Sequence, residues 1–215
     1  MTDKPAPKPD TRFRRLKEKG SRDFQLACSI VDEARIGHVG FADEGQPYVV
    51  PMAVARDQHQ LLLHGSVASR LMQQLASGLP CCVTITHLDG LVLARSAFNS
   101  SMHYRSLMVF GRASPVTDPD EKARCLEVLT DHLLPGRREE LRASTPQEIN
   151  ATQVLAIPLE VFTVKISEGP PDDPARDLGA GIWAGVVPLR TVAGEPIRDP
   201  ELDSAIPLPD YLGEL

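Results

Sequence analysis

The sequence has no G-x-G-x-x-G turn and no Walker sequence, so neither phosphate motif of the doubly wound folds is present. It also has no C-x-x-C pair. Cys28 and Cys125 stand alone, and the adjacent Cys81 and Cys82 would point to opposite faces of a strand. Neither a metal site nor a disulfide framework is expected; buried free thiols are. No run of about 18 apolar residues occurs, so no membrane contact is expected. The first residues are polar and proline-rich and carry no apolar h-region, which makes a reducing cytoplasm the expected location. An excess of positive charge is missing too. The formal charge of −6 argues against binding of nucleic acid or anionic membrane by the protein as a whole, and leaves room for a local basic patch.

What is present suits one globular domain. At 215 residues, with 42% hydrophobic and 24% charged residues, the chain is long enough for a core that buries about 70% of its unfolded surface. Prolines number 19, and eight of them fall from Pro170 to Pro209, which sets that region apart. Residues 1–20 combine Pro5, Pro7 and Pro9 with Arg12, Arg14, Arg15, Lys17 and Lys19, and read as a mobile basic arm. The arm is either a contact for nucleic acid or an acidic partner, or a solvated tail or strap over a dimer partner. Residues 21–169 form the expected domain, and residues 170–215 a proline-rich extension that packs on it or on a partner subunit.

Helical spacing of Phe24, Ala27, Ile30, Val31 and Ala34 predicts a first helix over residues 23–35. Strands are expected over residues 36–42 and 47–55, joined by the turn Asp43-Glu44-Gly45-Gln46, and over residues 60–64. A short helix follows, holding Leu71, Met72 and Leu75 and stopped by Gly78. Further strands are expected over residues 80–86, 90–97, 105–116, 154–158, 161–167 and 182–189. Asp118-Pro119-Asp120-Glu121 opens a clear helix, and Thr145-Pro146-Gln147-Glu148 repeats that cap chemistry. Short strands, tight turns and peripheral helices suit a mainly β, antiparallel barrel.

The segment Leu63-His64-Gly65-Ser66-Val67-Ala68-Ser69-Arg70 joins a strand end to a helix start. Gly65 lets a ligand approach the backbone, Ser66 and Ser69 offer hydroxyls, the helix start offers N–H groups, and Arg70 offers a bidentate grip. These are the parts of an anion site, where each charge-assisted bond contributes about 1.5–3 kcal/mol. A capped helix with a surface arginine would read the same way.

Around that segment the sequence resembles the flavin-nucleotide-binding, nitroimidazole-resistance-like branch of the pyridoxamine 5′-phosphate oxidase-like split-barrel family. The likeness covers residues 23–189. It rests on Gly37-His38-Val39, Pro47-Tyr48-Val49-Val50-Pro51-Met52, His64-Gly65-Ser66, Ser69-Arg70, Ala94-Arg95-Ser96, Tyr104-Arg105-Ser106, Gly169-Pro170-Pro171-Asp172-Asp173 and Trp183-Ala184-Gly185 in order. The resemblance implies an antiparallel split β-barrel, homodimeric, with FMN at the subunit interface. By it, Val50, Pro51 and Met52 lie along the flavin ring, while His64, Gly65, Ser66, Ser69 and Arg70 wrap the phosphate. Tyr104, Arg105, Ser106 and Lys165 reach toward the cofactor of the other subunit. The arginine and histidine by which true pyridoxamine phosphate oxidases hold substrate have no counterpart near the C-terminus, so vitamin B6 oxidation is not expected.

Three single residues keep more than one reading. His64 is a catalytic proton donor or acceptor beside the cofactor, a ligand to haem iron as in relatives of this barrel that bind haem, or a structural hydrogen-bonding group. Arg95, in an apolar strand, binds phosphate or substrate, or forms an ion pair at the dimer interface. Trp183 covers the flavin ring or buries the apolar tail. The expected activity is a flavin-dependent oxidoreductase drawing on NADH or NADPH and reducing a small organic acceptor such as a nitro compound. A non-catalytic flavin or haem binder is the alternative.

Overall fold

The structure, a computed structural model, describes residues 9–214. In chain order its elements are β1 (Gly20–Ser21), α1 (Phe24–Glu33), β2 (Ile36–Asp43), β3 (Gln46–Ala53), β4 (Ala55–Asp57), β5 (Gln60–Ser66) and α2 (Arg70–Ala76). Then come β6 (Pro80–Leu93), β7 (Ser101–Arg112), β8 (Ser114–Pro115), α3 (Pro119–Leu133), α4 (Pro146–Ala151), β9 (Thr152–Pro158), β10 (Phe162–Ser167) and β11 (Gly185–Pro188). Every strand pair is antiparallel. The larger sheet runs β1-β10-β7-β6-β2-β3, with β11 added beside β6, and the smaller runs β4-β5-β9-β8. The fold is the mainly β, antiparallel barrel with helices at its periphery that the strand and turn pattern predicts.

Side-chain alternation along two strands decides how the sheets are used. On β5, Leu61 and Leu63 enter the main core with Ile30, Met72, Leu75, Ile85, Leu107, Leu155 and Ile157. Leu62 points the other way, into a smaller cluster with Val154, Cys125 and Leu129 under α3. The small sheet is therefore apolar on both faces, one against the barrel and one against α3. Each such buried leucine contributes about 1.5–3 kcal/mol.

The helices start where their caps predict. Asp23 accepts from the Leu26 N–H at 2.9 Å and Asp118 from the Glu121 N–H at 2.9 Å, while Thr145 and Glu148 close a capping box on α4. Ser69 holds the N-cap position of α2 but makes no side-chain cap bond.

Four expectations are corrected. The strands expected over residues 80–86 and 90–97 are one strand, β6, with a bulge between Leu88 and Gly90. Gly90, expected to begin a second strand, serves a close approach: a Cβ there would meet the Val187 carbonyl oxygen at 3.1 Å, where β11 pairs. Arg95 accordingly lies in a loop over residues 94–100, not in a strand, and β7 begins at Ser101. The expected strand over residues 182–189 shortens to β11, which takes the part of β6's edge that β2 leaves open. Finally, the described part of the basic arm is built onto the barrel. Residues 9–20 lead into β1 on the edge of β10, and Arg22 donates to the Thr11 carbonyl and hydroxyl. The expectation for residues 1–8 lies outside the described residues.

Candidate functional site

At the start of α2, Arg70 turns to the β2–β3 hairpin. Its Nη2 donates to Asp43 Oδ2 at 2.5 Å and to the Tyr48 hydroxyl at 3.2 Å. Its guanidinium carbon lies 4.8 Å from the centroid of the Tyr48 ring, which stacks on Phe41 at 5.3 Å. The Asp43 carboxylate, then the Tyr48 hydroxyl, push the arginine's high pKa further up, so it is permanently charged. Nε and Nη1 of Arg70 have no partner among the described residues. Arg70 therefore presents an aimed, exposed set of donors next to β3.

β3 is the edge strand of the large sheet. Val50 and Met52 lean on the core, whereas Val49 is 67% exposed and Pro51 is exposed. Prolines at positions 47 and 51 suit an edge, where the missing donor breaks no ladder. The backbone of Val50, Pro51 and Met52 is thus placed to receive a flat ligand beside Arg70.

Strand alternation sends His64 to the opposite side. Like Leu62, it looks toward α3, into a cavity of about 260 Å³ lined by Leu126, Leu129, Thr130, Leu133, Glu148 and Thr152 among others. Its Nδ1 is buried and has no hydrogen-bond partner among the described residues. Burial pushes the imidazole below its ordinary pKa of 6.5, which keeps it neutral at pH 7. Three of its polar neighbours are already engaged, and the Ser144 hydroxyl has no partner among the described residues. Thr130 and Thr152 donate to the carbonyls of Leu126 and Glu148, both at 2.9 Å. The Glu148 carboxylate, drawn down to about 2 by Arg142 and by the Thr145 N–H, is held by those same groups. One buried nitrogen is left without an answer, at a cost of about 1–3 kcal/mol.

The expected grouping from His64 to Arg70 therefore divides. At Gly65 a Cβ would meet Met72 Cγ at 3.0 Å, so its bare face lets α2 approach β5. Arg70 is not among the residues that line the His64 cavity, and His64 is not among the hydrogen-bond partners of Arg70. Ser66 Oγ accepts from the Ala68 N–H at 3.2 Å, and the Ser69 hydroxyl is unengaged among the described residues.

The remaining expected residues have structural partners. Arg105 is clamped between Glu33 and Asp89, and these carboxylates raise its pKa well above the usual arginine range. Ser106 donates to the Lys165 carbonyl at 3.3 Å across the β7–β10 register, and Tyr104 pairs with Ser167. Arg95 is paired within the chain: its N–H and Nη1 both donate to Asp173, whose side chain is 1% exposed, while its Nε is buried without a partner. Trp183 is 67% exposed, with its ring against Gly185 at the start of β11. A larger hollow of about 760 Å³ lies over Arg12, Phe13, Arg14 and Lys17, but Asp10 already pairs with both arginines there.

Sequence reasoning missed Asp43, read only as a turn residue, and Tyr48, quoted within a motif without a role. The turn Asp43-Glu44-Gly45-Gln46 carried the signal, since the hairpin it closes sets Phe41 opposite Tyr48 on one face.

An antiparallel barrel of two sheets, with an aimed arginine beside an edge strand and an imidazole in a cavity lined by leucines and by Thr130, Ser144, Glu148 and Thr152, is a split barrel with two candidate binding faces. The chain belongs to the pyridoxamine 5′-phosphate oxidase family, whose model matches residues 25–166. It is similar to the FAD and haem binding protein from Mycobacterium smegmatis, at 39% identity and TM-score 0.88, over 91% of this chain and 96% of that one. It is also similar to the flavocytochrome Anf3 from Azotobacter vinelandii, at 35% identity and TM-score 0.89, over 95% of each chain. A protein from Bacteroides thetaiotaomicron proposed to confer 5-nitroimidazole resistance is 26% identical, at TM-score 0.58, over 68% of this chain and 86% of that one. None of the curated proteins matches the chain.

Proposed function

We propose that this chain is a flavin- and haem-binding redox protein, with the flavin phosphate on Ser69 and Arg70 and the haem iron on His64. The observation that carries it is the division of β5's end into two sites on opposite faces, one offering exposed charged donors and the other a single neutral imidazole. Similarity to an FAD and haem binding protein and to a flavocytochrome supports the pairing. It also favours the dinucleotide over the FMN that sequence resemblance implies.

The residues fit both groups. Arg70 is always charged and suits a phosphate; an imidazole with an unpartnered Nδ1, beside Leu126, Leu129 and Leu133 on one side and Thr130, Ser144, Glu148 and Thr152 on the other, suits an iron macrocycle with polar substituents. At about 260 Å³ the cavity lies just below the range of small-molecule pockets, about 300–1,000 Å³, so the wall formed by Leu133, Ser144 and Glu148 has to move outward to admit one. When bound, flavin supplies hydride and electron transfer and haem supplies one-electron chemistry. The protein's part is positional: Tyr48 and Asp43 aim Arg70, β3 offers backbone groups to a ring, and α3 keeps water from His64.

Apolar side chains exposed on the large sheet, Val49, Leu88, Met102 and Met108 among them, support a second copy of the chain covering it and completing the flavin site. NADH or NADPH as donor and a nitro compound as acceptor remain the reaction to assay, the latter favoured by the Bacteroides relative.

The test is the absorption spectrum of the full chain supplied with FAD and hemin. Flavin bands and a Soret band are expected together; His64→Ala removes the Soret band and keeps the flavin, and Arg70→Ala does the reverse. Uptake of flavin without haem overturns the haem assignment. Bound flavin that neither NADH nor NADPH reduces overturns the oxidoreductase.

A further inference from the structure

We infer that Asp43 is a specificity-determining residue, which makes the Arg70 site prefer the singly charged phosphates of a dinucleotide over the doubly charged monoester end of FMN. The inference rests on the proposed role of Arg70 and deepens it. Both protons of Arg70 Nη2 are taken, one by Asp43 Oδ2 at 2.5 Å and one by the Tyr48 hydroxyl at 3.2 Å. A phosphate must then use Nε and Nη1. Any oxyanion held there lies a few ångström from the Asp43 carboxylate, well inside the Debye length of about 8 Å.

The local charge is what discriminates. Arg70 and Asp43 together sum to zero, so the pair attracts an anion mainly through directed hydrogen bonds rather than net charge. A phosphomonoester, with a second pKa of about 6, carries close to two negative charges at pH 7 on one phosphorus. The diphosphate bridge of a dinucleotide carries one on each. Each extra charge on the bound phosphorus is repelled by Asp43, and the monoester has one more. Tyr48 and its stack on Phe41 keep Arg70 in place by contacts that do not need the carboxylate. Asp43 is therefore separable: Asp43→Asn removes the charge at almost constant shape.

Titration of FAD, FMN and riboflavin against the full chain tests this. Asp43→Asn tightens FMN by about three- to fivefold, shifts FAD by less than half that factor and leaves riboflavin unchanged. In the unaltered protein, raising salt moves the FMN-to-FAD affinity ratio toward FMN, a measurement that needs no variant. Equal shifts for FMN and FAD, or a weakening of FMN, overturn the inference. Arg70→Ala separates this from the reading beneath it. Loss of FMN and FAD binding with riboflavin retained, beside an unmoved ratio in Asp43→Asn, overturns Asp43 alone. Unchanged FMN binding in Arg70→Ala overturns both.

Discussion

On one face of β5, Leu61, Leu63 and Gly65 meet the barrel core and α2; on the other, Leu62 and His64 meet α3. The first face is closed by shape. Met72 fills the space above Gly65 and delivers Arg70 to Asp43 and Tyr48. The second face is apolar up to Leu62 and then opens at a histidine whose Nδ1 nothing satisfies. Native interiors rarely leave such a group orphaned, which is the difference on which the proposed haem site on the α3 side rests.

Substitutions along β5 test that contrast, and the largest effect belongs to the core face. Leu63→Ala, at a fully buried position, costs about 2–5 kcal/mol in denaturant unfolding. Gly65→Val drives a side chain into Met72 and costs about 1–3 kcal/mol. It also weakens flavin through displacement of α2 while the Soret band stays; equal loss of both cofactors would break the separation of the two faces. His64→Ala stays within about 1 kcal/mol of the parent in cofactor-free unfolding, since it removes an unsatisfied buried group as well as packing.

The same histidine sets a pH dependence. Its native pKa lies below the ordinary 6.5, so between those two values the unfolded chain holds a proton that the native chain refuses. Stability is full above about pH 6.5 and declines as pH falls through that window. His64→Gln flattens this slope in thermal melts, and an unchanged slope would place the titrating group elsewhere. The smallest effect is that of Ser69→Ala. An engaged N-cap serine contributes about 1 kcal/mol, but Ser69 makes no cap bond and its loss costs under about 0.5 kcal/mol, appearing instead as weaker flavin binding.

Much of this architecture was legible in residue order. Asp118-Pro119 and Thr145-Pro146 start helices because side-chain oxygens and a donor-free proline answer local backbone needs. The break expected between residues 86 and 90 is a bulge within one strand, because a glycine that starts a strand and one that admits a neighbouring strand look alike until β11 is in place. Arg95 was placed in a strand by the apolar run before it, whereas Ser96 and Ser100 close a loop on their own backbone. The direction of His64 was hidden for a related reason. Leu61, Leu62 and Leu63 are all apolar, so a period of two assigns no inside or outside, and His64 joins a phosphate segment by adjacency alone.

By itself the sequence determined the class of fold, the positions of the capped helices, and a segment with the donors for an anion. These follow from interactions between residues a few positions apart, which chain order preserves. Tertiary structure decided that the segment faces two ways, that Asp43 and Tyr48 aim Arg70, and that His64 turns into a cavity under α3. Those facts depend on packing between β2, β3, α2 and α3, whose contacts join residues 22 and more positions apart.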